Sequence, residues 1–306
     1  MPRLVAEIRA RATAAVLAVG VLAAACDSGA HPPDAQATIS VTSAELSIRF
    51  DVAEGKPPTV SVLGFRAATA GPDAPDVLGL VDPLSAAAPD QGCALRDVDE
   101  AMSALVARGS SIDLEELSGV GVGLGPGEPL VRPFPRVFPD VAGVVGGVVA
   151  EAPPQPLDLL PEHLSIYGAD AELPVAELAV PALPRLQAAN GAAPVGGMKV
   201  DASDGLSLSL GGGAGAAGAA GAVVELRPFG ATVAVICAVP ANASTEAVVT
   251  IPHALLVHLP RTRTSSWGVP VSIEVARRVR AREPLAPAGA RVSVEVRAAL
   301  AVELRP

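Results

Sequence analysis

From residue 38 onward, apolar and polar residues alternate along most of the chain. "VSIEVARRVRA" (271–281) sets Val271, Ile273 and Val275 on one face, with Ser272 and Glu274 on the other. "RVSVEVRAALAVELR" (291–305) repeats the pattern, Val292, Val294 and Val296 standing opposite Ser293, Glu295 and Arg297. A period of two marks a strand that buries one face. "TISVTSAELSIRFDV" (38–52) and "PTVSVLGFRA" (58–67) flank the turn "AEGKP" and read as a hairpin, while "GLSLSLG" (205–211), "AVVELRPFG" (222–230) and "TVAVICAVP" (232–240) add three more strands. Turn residues recur about every ten positions, a spacing that predicts an all-β, antiparallel sandwich of the immunoglobulin-like kind.

Helical signals are few. "DVDEAMSALVARG" (97–109) carries Asp97 as a cap, Glu100 three residues later and Gly109 as a stop, with Val98, Met102, Leu105 and Val106 on one face. "PHALLVHLP" predicts one or two helical turns between Pro252 and Pro260. "VAGVVGGVVA" (141–150) is too short to span a bilayer and reads as a buried strand with glycine at close contacts. The Pro- and Ala-rich stretch 67–92 reads as a linker, and "GGGAGAAGAAG" (211–221) as a hairpin loop without the spacing of a phosphate-binding motif. The expected organisation is an N-terminal hairpin at 38–66, the linker, a β domain at 93–185 and a second at 186–306.

Cys93, "AELPVAELAVPALP" (171–184), "GLSLSLGGG" (205–213), Cys237 and "VTIPHALLVHLP" (249–260) follow in that order before a final strand. The series resembles a family of uncharacterised secreted, β-rich bacterial proteins. The resemblance implies a body of two consecutive sandwich halves and supplies no site.

The N-terminal end changes the picture. Arg3, Arg9 and Arg11 precede the uncharged apolar run "ATAAVLAVGVLAAA" (12–25), the layout of a secretory signal over residues 1–25. That run of 14 residues is shorter than the roughly 20 of a spanning helix. "LAAAC" then resembles the lipobox of bacterial lipoproteins, with Ala23 where leucine is usual. The resemblance implies cleavage before Cys26 and diacylation of its thiol. The polar, proline-broken stretch that follows makes 26–37 a flexible tether. Each buried acyl methylene contributes about 0.8 kcal/mol, so several chains hold a protein at a bilayer. The membrane, reached through that lipid, is the expected partner, the leaflet being left open.

With Cys26 acylated, Cys93 and Cys237 remain, and an even pair in an oxidising compartment is expected to bridge. Closing a loop of about 145 residues removes about 5 kcal/mol of unfolded-state entropy in the chain-entropy model. The full chain carries −10; residues 1–25 contribute +3 − 1 = +2, leaving −12 for the mature protein. That acidity argues against nucleic acid as a partner.

Candidate chemistry is thin. His31 lies in the tether, and His253 and His258 are five apart, off a common helical face. His163 stands apart, no HExxH is present, and no metal or other cofactor is expected. The acidic groups Asp97–Glu100, Asp113–Glu116, Asp170, Glu172 and Glu177, and Asp201 with Asp204 lack an EF-hand pattern and read as solvated faces or turns. A sugar cleft would want stacking aromatics, and the chain has one Trp (Trp267) and one Tyr (Tyr167). Arg277, Arg278, Arg280 and Arg282 form the one basic concentration and read as a strand end. "NAS" at Asn242 carries no weight in a bacterial lipoprotein. No catalytic site is expected. The reading is a lipid-anchored extracytoplasmic protein with a structural or interaction role and an envelope protein as a further partner. The alternatives are a carrier of lipid or other apolar cargo, which predicts an apolar cavity of about 300–1,000 Å³, and a hydrolase, which predicts a nucleophile, base and acid within hydrogen-bonding reach.

Overall fold

The computed structural model describes residues 40–70, 89, 91–97, 111–125, 130–141, 143, 145–168, 174–211, 222–239, 247–260, 268–280 and 290–305. The described residues belong to one compact unit and are nearly all β, 69% of them strand and 2% helix.

One large mixed sheet dominates. From one edge it runs through β3 (Gly92–Asp97), β14 (Val233–Val239), β13 (Ala222–Pro228), β16 (Val269–Arg280) and β17 (Arg291–Arg305). It continues through β1 (Ser40–Ala53), β2 (Thr59–Ala70), β4 (Ser111–Glu116) and β7 (Val145–Pro156) to β6 (Phe134–Val141), and β11 (Lys199–Asp201) extends it beside β17. The predicted hairpin is present, its second strand running on to Ala70, into the expected linker. The sheet is not purely antiparallel, as its alternation suggested. β1 lies parallel to β17, as do β11 to β17 and β4 to β7. These partners are far apart in sequence, and only a short hairpin connection would have forced them antiparallel.

Two small sheets pack against this large one. β5 (Gly121–Gly123), β8 (His163–Tyr167) and β9 (Ala176–Ala179) form the first. Val122, Leu164 and Ile166 from it share a buried core with Leu46, Ile48, Phe50, Val60, Val62, Val292, Val294 and Val296. β10 (Arg185–Ala189), β12 (Leu206–Gly211) and β15 (Ala247–Ile251) form the second. Leu206, Leu208, Val249 and Ile251 close on Val224, Leu226, Val271, Ile273, Val275, Val302 and Leu304. The single described helix, α1 (His253–Leu256), starts directly after Pro252 and buries Leu256 in this second core. β17 serves both cores through its even-numbered residues. Both cores therefore lie on one face of the large sheet.

The expected division at 185/186 does not coincide with the strand pairing. β3 belongs to the N-terminal side of that boundary yet pairs with β14, and β1 pairs with β17. Strand exchange of this kind makes the halves interdependent. Two close approaches fix local geometry. Gly147 has φ +133°, and a Cβ there would lie 2.1 Å from the Leu114 carbonyl oxygen, so only glycine lets β7 meet β4. Asn190 (φ 48°) and Gly191 (φ 78°) turn β10 back on itself, and the Asn190 side chain accepts from Ser207 N (2.7 Å) and donates to Asp201 O (2.7 Å).

Residues 98–109 of the predicted helix lie outside the described residues. Asp97, the expected cap, is the last residue of β3.

Candidate functional site: an ionic groove on the rolled sheet

The odd-numbered residues of β17 face away from both cores, and alternation makes them polar. Solvent exposure is the ordinary consequence, yet Ser293 is 2% and Glu295 3% exposed. Strand register explains it. Arg278 on β16 and Arg49 on β1 flank Glu295 directly, and Arg297 stands opposite Asp51. Cross-strand and i,i+2 neighbours on this face thus alternate in sign, the arrangement that stabilises adjacent strands. Glu295 takes both Arg278, whose Nε donates at 2.6 Å, and Arg297. Arg297 also meets Glu274 at 3.5 Å, and Arg49 meets Asp51 at 3.7 Å. Further along the face Glu225 pairs with Arg227 and lies directly opposite Glu274.

Burial has a cost on this face. It pushes the Asp51 carboxyl above its usual range, against the opposing pull of Arg49 and Arg297. Burial raises Glu225 likewise, Arg227 offsetting only part of it and Glu274 adding to it. On the opposite face, burial lowers the pKa of the Arg277 guanidinium.

The sheet is rolled around this face. β2 also pairs directly with β7 beside the groove, so by that route β16 and β6 are five strand spacings apart, about 24 Å in a flat sheet. Nevertheless Arg278 on β16 and Arg136, Val137, Phe138 and Pro139 on β6 line one cavity of about 430 Å³. Its floor carries Ser47, Arg49, Ser61, Glu295 and Arg297, and its far wall Leu63, Val149 and Glu151. Arg136 donates to Glu151 at 2.6 Å from the rim, where its side chain is 67% exposed. One end of the groove is apolar: Leu63, Phe138 and Val149 belong to a third cluster with Phe65, Ala67, Ile112, Leu114 and Val145. The other end is the ion-pair ladder. Phe134 and Val137 on β6 are 66% and 74% exposed. Pro135 and Pro139 remove N–H donors from that edge strand, which blunts it against strand addition.

A second concavity of about 990 Å³ lies over the outer face of the β5–β8–β9 sheet. His163, Ser165 and Tyr167 share that face, and Glu177 lies opposite Ser165. The hydrolase reading asks for a nucleophile bonded to its base, and no hydrogen bond among the described residues joins His163, Ser165 and Glu177. Tyr167 lies against Gly123, in the space a Cβ there would take.

Cys93 and Cys237 form a disulfide between directly paired positions of β3 and β14, with Cα atoms 4.0 Å apart. It fastens the edge strand to the sheet, and Cys237 is fully buried.

Other singled-out residues scatter. Asp201 ends β11 and Asp204 lies in the turn to β12, where Ser203 N donates to Asp201 at 3.1 Å and holds its carboxyl below the usual range. His253 Nδ1 lies 3.4 Å from Ala202 O, and His258 follows α1. Asp113 and Glu115 form the solvated face of β4. The basic run divides: Arg278 enters the groove while Arg277 continues the opposite face. Among the described residues no group of three or more His, Cys, Asp or Glu gathers as metal ligands would. Cys26, His31, Glu100, Asp170, Glu172, Asn242, Trp267 and Arg282 lie outside the described residues.

Compared with family profiles, curated proteins and solved structures, the chain finds no match.

Sequence reading did not single out Arg49, Arg136, Glu295 or Arg297 as a set. The signal was present: "RFD" (49–51), "ELR" (225–227) and "EVR" (295–297) each place opposite charges two apart on the polar face of a strand. Their gathering depends on the β1–β17 register.

Proposed function

We propose that this chain is an extracytoplasmic, membrane-tethered β protein that works by binding, with the rolled ionic face as its binding face. The observation that carries the reading is the groove itself. It joins an apolar cluster to an arginine-lined floor on the side of the sheet turned away from both cores. The body is read as sandwich-like in the immunoglobulin sense, two sheets enclosing one core, twice over. The Cys93–Cys237 disulfide supports an oxidising compartment. The tether rests on the lipobox-like "LAAAC" and the basic, then apolar, leader before it. A carrier of purely apolar cargo is less well supported, because the groove lies outside both packed cores and its floor is charged.

The test is the intact mass of the membrane-extracted protein, wild type beside Cys26→Ser. The expected result is a chain beginning at Cys26 with a diacylglyceryl-sized increment, lost in the variant together with membrane association. A mature chain with unmodified Cys26, or one starting elsewhere, would remove the tether from the account.

A further inference from the structure

We propose that the groove between β6 and β16 takes a small amphiphile: one anionic head, phosphate or carboxylate, on an apolar body. The inference rests on reading the rolled face as the binding face and adds the chemistry of the ligand. Four guanidiniums line the cavity, Arg49, Arg136, Arg278 and Arg297, against two carboxylates, Glu151 and Glu295. Asp51 and Glu274, just outside the lining, pair with Arg49 and Arg297, so four carboxylates stand against the four guanidiniums and the groove is locally balanced within an acidic chain.

The four arginines are not equivalent. Arg278 and Arg297 both meet Glu295 and are largely buried, so they form the fixed floor. Arg49 on the floor and Arg136 on the β6 side are each more than a third exposed. Arg49 reaches its carboxylate, Asp51, only at 3.7 Å, beyond a good hydrogen bond. An entering anion therefore gains a direct charged hydrogen bond there for little loss. Behind the lining, burial already works against the charged form of Asp51.

The apolar body has its own place. Leu63, Phe138 and Val149 extend the third hydrophobic cluster into the same cavity. Val137, 74% exposed on β6, continues that wall toward solvent. The volume of about 430 Å³ suits a small ligand.

The experiment titrates octyl phosphate into the full Cys26→Ser chain by calorimetry, without detergent and below the micelle concentration of the probe. Octyl glucoside and inorganic phosphate serve as the neutral and the headgroup-only arms. Saturable one-to-one binding of octyl phosphate is expected, with both other arms at least about tenfold weaker. Arg136→Gln and Arg49→Gln are each expected to weaken it about tenfold or more, and Arg185→Gln, at an exposed position on β10, to leave it unchanged. Arg136 is exposed enough that its variant should fold, which unchanged melting confirms. Absence of saturable binding overturns the proposal. So does equal binding of octyl glucoside or inorganic phosphate, or wild-type affinity in both groove variants. The Cys26 mass measurement is independent of each of these outcomes, so failure of the ligand proposal and failure of the tether are told apart.

Discussion

The two faces of β17 are buried to similar depth by opposite means. On one, Val292, Val294 and Val296 pack into a core with Ile48, Phe50 and Ile166. On the other, Ser293 and Glu295 are equally hidden, beneath arginines from β16 and from β17 itself. The apolar face gains free energy by leaving water. The ionic face does not gain in the same way: desolvating charges costs several kcal/mol per ion, and the pairing roughly returns that cost. A strand alone would not need the second arrangement. Its presence on the concave side, beside an open cavity, is the ground on which we propose that the ladder serves binding rather than folding.

The comparison can be broken at several points. Glu295→Ala should be the most damaging single change, because it leaves Arg278 and Arg297 largely buried without their shared carboxylate. A loss of about 3–5 kcal/mol is expected in urea unfolding. Val294→Ala, on the dry face of the same strand, should cost about 2 kcal/mol, the lower part of the large-to-small range. If the order reversed, the ionic face would be peripheral.

The smallest effect should come from Glu225→Gln, and it should be a gain. Burial raises the folded-state pKa of Glu225 above the usual 4.5. The folded chain then holds the proton more tightly, and stability falls as pH rises from 4.5 through the raised value. The variant should be more stable than wild type at pH 7, and the difference should fade once the pH drops below 4.5. Stability curves at several pH values check this; a loss at pH 7 would mean that the Arg227 pairing outweighs desolvation.

The strands were legible because alternation reports burial of one face. "VSIEV" and "VSVEV" each gave the correct apolar face. β6 was not legible: "FPRVFPDV" has two prolines, and nothing local says that an edge strand tolerates them. The parallel β1–β17 pairing was hidden for a different reason, since partners some 250 positions apart leave no turn signal between them. With that pairing unknown, Arg49 and Asp51 on β1 stayed unconnected to Glu295 on β17. The cysteine pair was legible by counting, although its cross-strand seat on an edge was not. The "NG" at 190–191 was a readable hairpin turn that strand-seeking alone passed over.

The central claim is that the ladder on the concave face is kept for binding and not for stability. It is tested most directly by replacing the floor with apolar residues, Glu295→Leu together with Arg278→Met and Arg297→Met, and measuring unfolding free energy and octyl phosphate affinity on the same protein. The account predicts stability within about 1 kcal/mol of wild type or above it, with affinity weakened about tenfold or more. A variant that loses several kcal/mol, or one that binds octyl phosphate as wild type does, would contradict it.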